Sequence, residues 1–251
     1  MNDRTEKLNE YVQQKGEVKL KELEKIFPDV SSMTLRRDLA QLEKQGLILR
    51  VRSGAVSVDS IKGSKEVRYN LRAEENIEAK EIIAQKAVEL IEQGRSLYLD
   101  SGSTIMCLAD ILPNEHLSIL TSGPNIGIEV AKKTNPSIML IGGQLNRNNI
   151  SVSGLGAIEF VKLVNIDIAF MATSGFSLEA GLTSGDYNEC ELKKYVIQKA
   201  KKVVVLMDSS KINKNMPYTF AGLKEIDVLV TDKKLPDEIM TATIANNVAV
   251  Y

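Results

Sequence analysis

One histidine and two cysteines are all the soft metal-ligating chemistry in this chain of 251 residues. His116 follows Pro113-Asn114-Glu115 in a stretch that reads as a surface loop, while Cys107 and Cys190 stand far apart without metal-ligand spacing. With no second histidine, no cysteine pair and no carboxylate cluster, neither a metal nor a cofactor is expected. The lone cysteines and the lack of a signal-peptide pattern argue for a reducing, cytoplasmic location. No apolar run approaches the length of a membrane span, so no membrane partner is expected. Repeats of fixed period and low-complexity tracts are also missing. A formal net charge of −1 excludes a protein that is basic all over, so any nucleic-acid footprint must be a local patch. Hydrophobic and charged fractions of 43% and 26% are those of a globular chain, and the length accommodates two domains.

A patch of the required kind lies near the N-terminus. Arg4 to Lys15 carries Leu8 and Tyr11-Val12 at i, i+3, i+4 spacing, which predicts a short amphipathic helix ended by Gly16. Leu20, Leu23 and Ile26-Phe27 continue the period into a second helix that stops before Pro28, whose ring and missing N–H disfavour continuation. After the Pro28-Asp29 turn, Ser31 or Ser32 caps a third helix. Leu35, Leu39 and Leu42 face inward and Ser32, Met33, Arg36 and Arg37 face outward. Small polar residues at a helix start, with long cations one turn behind, suit a helix entering the major groove. Asp38 reads as a structural partner of an arginine, because a carboxylate facing phosphates would repel them. Beyond Gly46, Leu49 to Arg52 alternates apolar and basic residues, then turns at Ser53-Gly54 into Ala55 to Val58. That pattern predicts a hairpin wing carrying Arg50 and Arg52 against the phosphate backbone. The expected DNA-binding residues are Ser31, Ser32, Met33, Thr34, Arg36, Arg37, Arg50 and Arg52.

Residues 58–76 turn polar and irregular and read as a linker between a DNA-binding domain at 1–57 and a second domain at 77–251. A helix from about Ala79 to Glu92 opens the second domain. Apolar strands follow at Ser96 to Leu99, Leu117 to Leu120, Ile138 to Ile141, Ile166 to Met171, Val203 to Met207 and Val228 to Val230. Helical stretches separate them near Thr104 to Leu112, Asn125 to Lys132, Ala157 to Leu163 and Cys190 to Ala200. Near-continuous apolar strands alternating with helices indicate a mostly parallel sheet covered on both faces, with ligands at the carboxyl ends of its strands. Those ends carry Asp100-Ser101-Gly102-Ser103-Thr104, Thr121-Ser122, Gly142-Gly143, Ser174-Gly175 and Lys211. Small residues let backbone approach an oxyanion, hydroxyls donate to it and a helix N-terminus attracts it. Glu189 and Lys193 either join this site or form an i, i+4 pair facing solvent.

Ser31 to Leu39, Leu42-Glu43, Gly46-Leu47 and Gly54-Ala55, followed by Leu99 to Thr104, Gly142-Gly143 and Asp208-Ser209-Ser210-Lys211, together resemble the DeoR family of bacterial transcription regulators over essentially the whole chain. The resemblance implies a winged helix-turn-helix followed by a doubly wound, mostly parallel α/β domain similar to ribose-5-phosphate isomerase. It also implies repression of a sugar-use operon through double-stranded operator DNA, with a phosphorylated sugar as effector. A homodimer or homotetramer is expected, since regulators of this type read paired half-sites. The chain departs from the family pattern at Phe27-Pro28-Asp29-Val30, at Arg52-Ser53-Gly54 and at Thr121-Ser122-Gly123-Pro124. The rival reading is an isomerase-like enzyme fused to a DNA-binding head. Such enzymes place an acidic pair after the strand that matches Ile166 to Met171, where this chain has Ala172-Thr173-Ser174-Gly175, so no catalytic residue is expected.

Overall fold

Stretches of helical and strand periodicity alternate along the chain, and the longer ones settle into the element their apolar spacing favours. The computed structural model describes residues 3–15, 17–51, 54–57 and 69–251. These fall into two compact units, one running to Lys65 and the other beginning at Glu66.

The first unit comprises α1 (Asp3–Lys15), β1 (Glu17–Lys19), α2 (Leu20–Ile26), α3 (Ser32–Lys44), β2 (Ile48–Val51) and β3 (Gly54–Ser57). Leu8 and Val12 of α1, Leu23 of α2 and Leu35, Leu39 and Leu42 of α3 bury one apolar face each against Val18, Ile48 and Ala55. Gly16, expected to end the first helix, and the hairpin tip at Arg52-Ser53 lie outside the described residues, as does Val58. The wing is a three-stranded antiparallel sheet in the order β1-β3-β2, with Val18 opposite Ala55. Strand β1 has no counterpart in the sequence-based expectation. Arg4 Nε donates to the buried Asp38 Oδ2 at 2.7 Å and thereby pins α1 to α3. Asp38 is thus the structural partner of an arginine.

The second unit begins with α4 (Tyr69–Glu74), α5 (Ile77–Val88), β4 (Ser96–Leu99), α6 (Ser103–Ile111), β5 (Ser118–Thr121), α7 (Pro124–Val130) and β6 (Ser137–Leu140). It continues through β7 (Gln144–Asn146), β8 (Ser151–Ser153), α8 (Leu155–Lys162), β9 (Ile166–Ala172), β10 (Gly175–Ser177), β11 (Gly181–Ser184) and α9 (Tyr187–Lys199). The last elements are β12 (Ala200–Leu206), β13 (Tyr218–Ala221), β14 (Val228–Val230), α10 (Asp237–Ala245) and β15 (Ala249–Val250). Among the described residues the main sheet runs β15-β14-β12-β9-β4-β5-β6, and every pair in it is parallel. The chain starts at β4, steps outward through β5 and β6, then returns to the other side of β4 for β9, β12, β14 and β15. This doubly wound order places the topological switch point between β4 and β9.

Alternation along the central strands divides the core in two. Leu97, Leu99, Ile168, Phe170, Val204 and Leu206 pack with Ile83 of α5 and Ile105 of α6, while Tyr98, Ala169, Met171, Val203 and Val205 face Val196 of α9 and Ile239 of α10. The expected linker at 58–76 requires correction over its second half. Tyr69–Glu74 is helical and belongs to the second unit, because Tyr69 packs inward and its N–H donates to Asn148 O at 2.7 Å. Residues 58–68 lie outside the described residues.

Asp167 ties the amino ends of the three central strands. Its Oδ2 accepts from Ser96 N and Oγ, both at 3.0 Å, and its Oδ1 accepts from Lys201 Nζ at 2.8 Å. The hydrogen bond from Lys201, followed by that from the Ser96 backbone, holds the carboxyl at about 2 against an ordinary 3.8. A depressed pKa stabilises the fold above the unfolded-state value and loses that contribution as pH falls through the folded one. Urea midpoints of wild type and Asp167→Asn should therefore differ by a constant amount above about pH 5 and converge between about pH 4 and pH 2. A gap that persists unchanged to pH 2 would show that the charge does not contribute.

Candidate functional site

In the first unit, the start of α3 is built from its own hydroxyls. Ser31 is the N-cap: its Oγ accepts from Thr34 N at 3.3 Å and lies 3.0 Å from Thr34 Oγ1. Ser32 Oγ donates to Glu24 of α2. Met33, Arg36 and Arg37 are exposed on the outward face, as the helical period requires. On the wing, Arg50 donates to Glu43 through its backbone N at 2.9 Å and its Nε at 2.7 Å. That pairing holds the Glu43 carboxyl below its ordinary range. Arg50 is thus anchored on α3, whereas Arg52 lies outside the described residues.

In the second unit, a narrow crevice of about 10 Å³ lies at the switch point, lined by Arg72, Ser101, Ala172, Thr173, Ser174, Glu189 and Lys193. Asp100 directly follows β4 and is buried; its Oδ1 accepts from Ser101 N at 2.9 Å and its Oδ2 from Ala172 N of β9 at 2.9 Å. Lys193 reaches across from α9, donates to the same Oδ2 and to Ala172 O at 2.9 Å, and sits 5.2 Å from the centroid of the Phe220 ring. These contacts use two of the three N–H donors of the ammonium group. Gly102 follows with φ 134, a conformation that favours glycine, and α6 starts at Ser103 with its first-turn N–H groups at the strand ends.

The remaining residues expected at this site divide by what they touch. Ser101, Ser103 and Thr104 are buried in the loop before α6 and its first turn, and Ser174 lines the crevice with its N–H donating to Thr183 O at 3.0 Å. Thr121 is corrected: fully buried, its hydroxyl donates to Leu99 O at 2.7 Å and accepts from Gly123 N at 3.0 Å, so it closes a turn and has no donor left for a ligand. Ser122 is buried beside Tyr98, whose phenol burial pushes well above its ordinary range. Gly142 and Gly143 are exposed at the end of β6, outside the residues that line the crevice. A Cβ on Gly143 would lie 2.5 Å from Ser153 O, so this glycine serves the packing of β8. Gly175 similarly runs against the Lys214 carbonyl. Asp100 is likewise an internal acceptor, since both its oxygens are taken by the protein.

Glu189 and Lys193 do not form a solvent-facing pair, because both are buried. Glu189 Oε1 accepts from Asn149 Nδ2 at 2.9 Å and from Ser151 Oγ. A carboxylate therefore does line the crevice, supplied by α9 and absent from the stretch after β9 that was considered in the sequence. Lys211 is half-buried, 3.8 Å from Asp208 Oδ2. Two residues of this region went unrecognised in the sequence. Arg72 of α4 lines the crevice and donates to Asn149 Oδ1 at 3.2 Å. Lys80 of α5 is buried and donates to Arg72 O and Glu75 O, which terminate α4. Burial lowers the Lys80 pKa and the nearby Lys211 charge lowers it further, against Asp208, Cys107 and Glu75. A lysine at position 80 on the apolar face shared with Ile83, Ala84 and Ala87 was the available sequence signal.

A winged helix-turn-helix followed by a doubly wound parallel unit with a polar switch-point crevice defines a DNA-binding regulator with a sensor domain. The chain belongs to the DeoR family: residues 4–61 match the DeoR-like helix-turn-helix domain and residues 75–233 match the DeoR C terminal sensor domain. It is 35% identical over 226 residues to the HTH-type transcriptional regulator GlpR of Haloferax volcanii, covering 87% of this chain and 88% of that one. The HTH-type transcriptional regulator GolR of Listeria innocua is 33% identical, with 93% and 91% covered. The glycerol-3-phosphate regulon repressor of Escherichia coli is 32% identical, with 92% and 90% covered. Among solved structures, ribose 5-phosphate isomerase A of Methanocaldococcus jannaschii aligns with a TM-score of 0.42 at 20% identity, covering 55% of this chain and 56% of that one. Among the described residues no helix is long and apolar enough to cross a membrane, and no group of three or more His, Cys, Asp and Glu could hold a metal ion.

The Asp100–Lys193 pair yields a stability test. Removing one member of a buried pair strands the other charge and costs about 3–5 kcal/mol. Asp100→Asn should lower the unfolding free energy by about that amount, and Asp100→Asn with Lys193→Met should recover part of the loss. Equal stability of the single and double variants in urea titrations would mean that no stranded charge is created.

Proposed function

We propose that this protein is a cytoplasmic repressor of a carbohydrate-use operon, that its head grips paired half-sites of operator DNA as a homodimer or homotetramer, and that its crevice senses a phosphorylated sugar. The observation that carries the effector reading is the polar, hydroxyl-bearing lining at the switch point, where Ser101 and Ser174 meet Arg72 beside the N-terminus of α6, with Lys193 neutralised by Asp100 and Glu189 also present. Lys80 and Lys211 add positive charge in this region, partly offset by Asp208. The relative named for the glycerol-3-phosphate regulon supports a small phosphorylated polyol. On the DNA side, Arg36 and Arg37 are exposed cations on the outward face of α3, and Arg50 and Arg52 serve the wing. Thr34 and Met33 stand at the helix start, where Ser31 and Ser32 hold the local structure.

The proposed coupling runs through α4. This helix follows directly from the chain leaving the head, carries Arg72 into the crevice and has its last carbonyls held by Lys80. A ligand that recruits Arg72 and Lys80 must change how α4 is held. By linkage, an effector that weakens DNA binding is itself bound more weakly by the DNA-bound protein. The isomerase reading gains one point from Glu189 in the crevice, but its Oε1 already accepts from Asn149 and Ser151.

Melting with glycerol 3-phosphate, ribose 5-phosphate and hexose phosphates, each beside its unphosphorylated parent, tests the reading. A phosphorylated sugar at a hundred times its Kd should stabilise the protein by about 2.7 kcal/mol. It should also shift operator affinity, and both effects should vanish in Lys211→Met. Indifference to the phosphate overturns the effector assignment, and turnover of any phosphosugar that is lost in Glu189→Gln revives the enzyme. For the head, Arg36→Ala and Arg37→Ala should each weaken duplex binding by about 1–3 kcal/mol if the arginine reads a base, or lower the salt slope by about 1 if it grips phosphate. Affinity unchanged at low salt for both variants would place the DNA face elsewhere.

A further inference from the structure

A helix that enters the major groove by its amino end brings its first-turn side chains nearest the base edges. In α3 those side chains are Ser32, Met33 and Thr34, with Ser31 as the cap. Three of the four are hydrogen-bonded inside the head: Ser31 and Thr34 to each other, Ser32 to Glu24 of the preceding helix. Met33 makes no contribution to the head's apolar core and is 79% exposed. A single exposed apolar residue needs no explanation by itself. Its placement does, because Arg36 and Arg37 stand three and four residues later on the same exposed face. The start of the helix thus presents an apolar, flexible, polarisable finger flanked by two cations, with its hydroxyls turned to internal work.

The apolar feature that base edges offer in the major groove is the C5 methyl of thymine. We propose that Met33 is a specificity-determining residue that reads a thymine methyl in each half-site, while Arg36 and Arg37 supply the polar and phosphate contacts. The inference rests on α3 being the DNA-facing helix. It assigns the base preference at that position to apolar contact and takes the serine hydroxyls out of base recognition.

The test uses the full-length protein and its own preferred duplex, enriched from a randomised pool. Each thymine of that duplex is replaced in turn by deoxyuridine, which keeps the hydrogen-bonding edge and deletes only the methyl. Binding is compared for wild type and Met33→Ala, whose folding is checked by its melting curve. At one position per half-site, deoxyuridine should weaken wild-type binding by about fourfold, the value of one buried methyl. The same replacement should leave Met33→Ala unaffected, which marks the two groups as coupled. Wild-type binding that ignores every deoxyuridine, or a loss that persists undiminished in Met33→Ala, overturns the assignment while leaving DNA binding intact. A protein that enriches no duplex at all removes the DNA-facing reading of α3 and this inference with it.

Discussion

The second unit depends on a carboxylate and an ammonium group buried together where the sheet changes direction. Asp100 and Lys193 come from elements 93 positions apart and meet below the protein surface. Burying either charge alone would be costly, so each makes the placement of the other possible. Because Asp100 also accepts from Ala172 N, the pair fixes the carboxyl end of β4 against that of β9 and holds α9 across both. Parallel strands at a switch point necessarily leave a crevice there, since the connections leave in opposite directions. The pair sets the floor of that crevice without supplying net charge to it. Under the proposed effector reading, attraction for an anion must then come from groups other than this pair, Lys80, Lys211 and the N-terminus of α6 among them.

The crevice has a second dependence, on α4. A helix of six residues is far below the length that holds itself together in water. It is kept in place by Tyr69 N on Asn148 O, by Arg72 on Asn149 and by Lys80 on the carbonyls of Arg72 and Glu75. The Asn148-Asn149 turn in its turn sits between β7 and β8, and Asn149 also donates to Glu189. One connected polar network therefore runs from the end of α4 through the hairpin to α9. Such networks are sensitive to the loss or capture of any single member.

Much of this was legible in the sequence wherever a segment was long enough to display its period. Ser96–Leu99 and Val228–Val230 are the strands that the apolar runs indicate, and Leu35, Leu39 and Leu42 mark the buried face of α3 as spaced. Short elements were not legible: β1 spans three residues, and the small sheets β7-β8 and β10-β11-β13 owe their pairing to distant partners. Nor was α4, whose polar composition reads as a linker because its stability comes from contacts outside itself. Strand order escapes a linear reading altogether, so the placement of Asp100 beside Ala172 and Lys193 could not be foreseen. Hydroxyl and glycine residues at strand ends carry a double meaning for the same reason. Thr121 and Gly143 look like anion-binding residues in sequence and turn out to serve turn closure and packing, whereas Lys80, hidden in an apolar helical face, holds the carbonyls of Arg72 and Glu75 beside the crevice.

Magnitudes indicate whether α4 is adequate to carry an effector's influence. Moving a population from almost entirely one state to almost entirely the other takes about 5.5 kcal/mol of differential binding. A hydrogen bond contributes about 1 kcal/mol net, and one involving a charged group about 1.5–3 kcal/mol. Among the described residues the attachments of α4 include one bond between neutral groups and three made by Arg72 and Lys80, and these four together are worth on the order of 5–10 kcal/mol. That range brackets the requirement. An oxyanion that drew Arg72 and Lys80 to itself would compete with most of those bonds at once, and the displaced helix lies directly after the chain that leaves the head. A ligand bound only by the Asp100–Lys193 floor would disturb none of them, however tightly it bound, because affinity shared equally by two states shifts neither. In the proposed coupling, response, as distinct from binding, is therefore a property of the groups that hold α4.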